Sequence, residues 1–99
     1  MESVLSREIF LSAVELLSLA QLKALQDLRT LKDSDDWHGF ILYTKRALYL
    51  FGITQNGLAS MIGLSQGAIS GWIDGSRTPH DPQQKMTEII AALTLCIGK

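Results

Sequence analysis

Cysteine is nearly absent from this chain: Cys96 is the only one. A lone thiol builds neither a disulfide framework nor a cysteine-based zinc site, and its scarcity fits a reducing compartment. No apolar run is long enough to span a bilayer, and no basic N-terminal stretch leads into a cleavable apolar segment. The sequence therefore reads as that of a soluble, cytoplasmic protein. No strand pattern and no internal repeat is present. His38, His80 and Cys96 stand at no recognised metal-ligand spacing, and no nucleophile, base and orienting acid are grouped in sequence. Neither catalysis nor a metal or other cofactor is expected.

Positive charge is also scarce. The formal net charge is −1, but the two ends of the chain differ. Met1 to Asp36 carries four basic and seven acidic residues, a net −3, whereas Trp37 to Lys99 carries five basic and three acidic residues, a net +2. Such a balance supports contact with a polyanion by the second part only, and predicts modest non-specific affinity. Ordinary solvated surface charges account for it about as well.

What the chain has is apolar residues at helical spacing. An apolar fraction of 46% over 99 residues suits one domain with one modest core. From Ser6 to Leu31 there is neither glycine nor proline, and Ile9, Phe10, Ala13, Leu16, Leu17 and Ala20 cover most of the circumference left by Glu8, Ser12 and Glu15. Such a helix calls for burial on more than one side. Ser18 and Gln21 resemble a capping box, so this stretch reads either as two helices meeting near Ser18 or as one long helix. Leu22, Leu25, Leu28 and Leu31 recur every three residues and drift around the helix, which is not a sustained coiled-coil seam.

The polar run Asp33-Ser34-Asp35-Asp36 divides the chain into an N-terminal helical extension, residues 1–35, and a second unit, residues 36–99. Ser34 or Asp35 is the expected cap of the next helix, near Asp36 to Phe51, with Trp37, Phe40, Ile41, Thr44, Leu48 and Phe51 inward and Lys45 and Arg46 outward. Two short helices follow, Gln55 to Ile62 and Gln66 to Asp74. Thr54 and Ser65 are their N-caps, and Gly52, Gly63 and Gly75 their left-handed punctuation. Ser76 to Pro82 is a loop by composition. A last helix starts at Pro82 and runs to about Ile97. The fold expected is all-α, a compact helical bundle.

The segments Gly52-Ile53-Thr54-Gln55, Leu58-Ala59, Gly63-Leu64-Ser65-Gln66-Gly67-Ala68-Ile69-Ser70, Trp72, and Gly75 with Pro79, in this order, form a helix-turn-helix signature. Over about Trp37 to Leu93 the chain resembles the phage-repressor and Cro-like, or Xre-type, DNA-binding proteins. The resemblance implies a bundle of four or five helices that places the second helix of the motif in the major groove of double-stranded DNA and usually works as a homodimer. It implies that Gln66 reads a base, since a glutamine amide matches the donor and acceptor of adenine. Gln55 then touches a phosphate and braces the recognition helix, with Asn56 beside it. Ser70, one turn after Gln66, faces a base or a phosphate; Arg77 and Thr78 lie on a loop along the backbone, and Lys45 reaches a flanking phosphate. Each has a plainer alternative as a capping or solvated side chain.

Gly67 and Gly71 stand where the family often carries long polar side chains. Two glycines inside one helix cost about 1 kcal/mol each relative to alanine. Either the helix lies close to the DNA, with Gly67 or Ala68 against thymine methyls, or it has lost much of its base reading. The function expected is a sequence-specific transcriptional regulator, a small repressor acting on an inverted repeat. The alternative is an antitoxin or protein-interaction module with a protein partner and secondary DNA binding. The apolar N-terminal helix is expected either to dimerise or to pack on its own chain.

Overall fold

The computed structural model describes residues 2–97, with side chains from residue 12 to residue 97. Five helices follow one another: α1 (Glu2–Asp33), α2 (Trp37–Phe51), α3 (Gln55–Met61), α4 (Gln66–Asp74) and α5 (Pro82–Thr94). No strand occurs among the described residues. The side chains of Glu8, Ile9 and Phe10, part of the pattern read above, lie outside them, as do residues 98 and 99.

Of the two alternatives for the N-terminal stretch, the single long helix holds: α1 runs through Ser18 for 32 residues. Its second half packs into the core, where Ala24, Leu25 and Leu28 meet Phe40, Ile41, Leu48, Leu58, Ile69, Met86, Ile89 and Leu93. Its first half projects. The radius of gyration is 15.6 Å and the longest extent 57 Å, against about 13 Å expected for a compact chain of this length. No helix among the described residues is long and apolar enough to cross a membrane.

Polar groups tie α1 to its neighbours. Gln21 is buried, and its Nε2 donates to the Leu50 carbonyl at 2.7 Å, satisfying an orphan carbonyl in the last turn of α2. The Tyr43 hydroxyl donates to Asp27 Oδ2 at 2.7 Å, and Lys23 Nζ reaches the same carboxylate at 3.0 Å. These two donors hold Asp27 below the usual carboxylate range, while burial and the Asp27 charge push Tyr43 up to about 12.

The α1–α2 junction corrects the expected cap. Asp35 takes the left-handed conformation, φ 55°, that ends α1, as the short side chain of Asp tolerates. The cap of α2 is therefore Asp36, whose Oδ1 accepts from Gly39 N–H at 2.9 Å. Gln83, early in α5, clasps this corner by donating to the Lys32 carbonyl at 2.8 Å and to Asp35 Oδ1 at 2.9 Å. α5 ends at Thr94, about a turn before the expected Ile97.

Candidate functional site

The α3–α4 pair is built by local rules before any packing is considered. Thr54 Oγ1 accepts from Gly57 N–H at 2.9 Å and Ser65 Oγ from Ala68 N–H at 3.3 Å. Each cap spends an oxygen lone pair and leaves its own hydroxyl hydrogen free to donate. α3 closes at Ile62, and Gly63 turns the chain at φ 73°, a conformation that costs a residue without Cβ nothing. Leu64 N–H then bonds back to the Ala59 carbonyl at 2.8 Å, fixing the turn. Leu58, Ala59, Ile69 and Trp72 go into the core, where Trp72 meets Trp37 edge-on at 5.3 Å between ring centroids. Trp72 is thus a packing residue.

With the inner faces buried, polar residues are left outside. Gln55, half-buried at the start of α3, accepts through Oε1 from the Ser70 hydroxyl of α4 at 3.4 Å. That weak bond braces the two helices against each other and engages Ser70, which is itself half-buried. Asn56, Gln66, Gly67 and Thr78 are exposed, and no side chain among the described residues bonds them. Lys45 is exposed on α2, and it lines one shallow groove with Tyr49, Ile53, Thr54 and Gln55.

Two features of this surface escape sequence reasoning. Tyr49 is 88% exposed, one helical turn after Lys45 and beside the start of α3. A tyrosine standing in water keeps a large amphipathic ring and a hydroxyl donor available for a partner. The available signal was its place outside the apolar stripe of α2, at i+4 from Lys45.

The second feature is the reason for Gly71. Gly71 is buried, and a Cβ placed there would come within 2.7 Å of Arg77 Cδ and 2.8 Å of Arg77 Cγ. Arg77 N–H also donates to the Gly71 carbonyl at 3.0 Å. The glycine is therefore a slot for the arginine stem, and of the two explanations weighed above neither is needed at this position. Nothing comparable occupies Gly67, where an added Cβ meets only Ser65 Oγ of its own cap, at 3.9 Å.

Charge on this surface is sparse. α4 carries no basic residue. Asp74 accepts from Ser76 N–H at 2.8 Å. Those Ser76 hydrogen bonds, with a smaller contribution from the Arg77 charge, hold its carboxyl below the usual range. Arg77 is thus partly offset by a neighbouring anion. Among the described residues no three His, Cys, Asp or Glu side chains converge as metal ligands would. Cys96 is half-buried, its thiol directed at the Ala92 carbonyl at 3.5 Å. No protein family, curated protein or solved structure matches the chain.

Proposed function

We propose that this protein is a sequence-specific regulator that binds double-stranded DNA through α3 and α4 as a helix-turn-helix, acting as a homodimeric repressor on an inverted repeat. The observation that supports it most is the α3–turn–α4 unit: two capped helices, cross-braced by Gln55 and Ser70, with their apolar sides buried and free amides outside. α4 enters the major groove by its N-terminal end, where Gln66 bonds a base edge and Gly67 permits close approach. Gln55, Asn56, Thr54, Lys45 and Tyr49 contact the phosphates on one side of the groove. Arg77, its stem steadied by Gly71, and Thr78 contact those on the other.

The scarcity of cations sets the expected balance. Few phosphates are neutralised, so salt dependence is shallow and sequence-independent affinity is low. Sequence preference then rests on Gln66, on deformation of the duplex, and on two half-sites being held together. No catalytic step is proposed. A second reading, a protein-interaction module, draws support from the exposed leucines of α1.

Selection of bound fragments from genomic duplex DNA at low salt, with the protein's own upstream region included, tests the proposal. Enrichment of duplexes sharing an inverted repeat is the expected result. If no duplex is enriched, DNA regulation is the wrong reading and the protein-interaction module takes its place.

A further inference from the structure

The middle of α1 presents leucine to water on the side away from the body. Leu16, Leu19 and Leu22 are 66%, 61% and 50% exposed. At 3.6 residues per turn they share one face with Ser12, Glu15, Lys23 and Gln26, roughly opposite the face that buries Gln21, Ala24, Leu25 and Leu28. Three adjacent exposed leucines on one helix stripe mark a contact surface rather than scattered surface apolarity.

The order of residues on that stripe identifies the occupant. Turned end for end about Leu19, the stripe matches itself. Leu19 falls opposite Leu19, Leu16 opposite Leu22, Ser12 opposite Gln26, and the acidic Glu15 opposite the basic Lys23. A surface complementary to its own two-fold image is what an isologous dimer requires. We infer that α1 pairs antiparallel with α1 of a second copy, about an axis through Leu19, with Glu15 and Lys23 forming two equivalent ion pairs across the contact. Because this stripe and the core-facing stripe lie on opposite sides of α1, the two bodies point away from each other and do not collide. Lys23 already holds Asp27 at 3.0 Å while remaining 71% exposed, and an ammonium has three donors, so it keeps that bond and adds Glu15 of the second copy. The pairing supplies the homodimer of the proposed function, and its test contains no DNA, so the two fail separately.

Sedimentation equilibrium of the full chain at low salt reads the pairing, with circular dichroism confirming that each variant stays helical. The wild type is expected to be dimeric at micromolar concentration. Leu19→Glu puts two carboxylates on the axis and raises the dissociation constant at least about 100-fold. Glu15→Lys and Lys23→Glu each raise it about tenfold, because symmetry breaks two ion pairs at once. Combining them in one chain, or mixing the two single variants, restores the dimer to within about threefold of wild type. A monomeric wild type, charge variants without effect, or singles that are not rescued by their combination overturn the inference. So does a dimer that survives Leu19→Glu but is lost in Leu95→Glu, which moves the contact to the groove of Met61, Ile62, Ala91 and Leu95.

Discussion

The first half of α1 and the whole of α4 both offer a surface to solvent, but they are built in opposite ways. α4 is nine residues long, capped at both ends, and places its apolar side in the core, so its free face is polar and bare. α1 has 32 residues, needs its second half to anchor it, and leaves leucines exposed along its first. A short helix cannot persist alone, so caps and packing must hold α4. A long helix docked at one end carries its free end outward, and apolar residues there have no partner within the chain. Shape without much charge is what α4 contributes; apolar surface without much shape is what α1 contributes.

The sharpest way to break this comparison is to remove one leucine from each half of α1. Leu28→Ala opens a cavity in a fully buried site and is expected to cost about 3 kcal/mol in urea or thermal unfolding. In the monomeric Leu19→Glu background, where no second copy covers it, Leu16→Ala is expected to change stability by less than about 0.5 kcal/mol. Equal costs would mean that the first half is buried in solution.

Next in size is the tie between α1 and α2. Tyr43→Phe removes the donor to Asp27 and is expected to lower stability near neutral pH by less than Leu28→Ala does, since water screens the exposed carboxylate. Asp27 is lowered from 3.8, so its contribution is present above that value and is lost as pH falls below it. Tyr43 is raised from 10.0 to about 12, so its contribution is present below pH 10 and is lost as pH rises toward the higher value. Unfolding midpoints of wild type and Tyr43→Phe should therefore converge in acid and in strong base. A gap constant from acid to base contradicts the bond.

Around α4, Arg77→Ala on the following loop is expected to weaken binding to every duplex about tenfold and to reduce the salt slope by about one, whereas Gln66→Ala relaxes sequence preference. Gly71→Ala, which drives a methyl against the Arg77 stem from Cβ to Cδ, should reproduce part of the Arg77→Ala loss and also lower stability, because the stem yields only if the Arg77 backbone moves with it. Smallest of all, Gly67→Ala fills open space and is expected to stabilise the fold by up to about 1 kcal/mol. A loss of DNA affinity with that gain in stability would put Gly67 against the groove.

Local rules made the caps of α3 and α4 and the glycine turns at Gly52, Gly63 and Gly75 legible in sequence, because each needs only a few neighbouring residues. Asp36 was missed as a cap because its neighbour Asp35 was needed to close α1 in the left-handed conformation, a competition that one-residue propensities do not register. Gly71 was misjudged for a similar reason. Its empty space is filled by Arg77, six residues away, and contacts made around a loop leave no periodic trace. The continuity of α1 past Ser18 was left open by the sequence, and Gln21, half of the suspected capping box, is instead spent on the Leu50 carbonyl 29 residues away. Tyr49 was overlooked because its place outside the apolar stripe of α2 marks exposure but names no partner.

Titrating the 15N-labelled protein with the most enriched duplex, and following amide shifts residue by residue, tests the division of labour between α4 and α1 most directly. The account predicts changes concentrated at residues 54–56, 65–70 and 76–78, with residues 12–22 unmoved. Changes centred on α1, or none near α4, would contradict it.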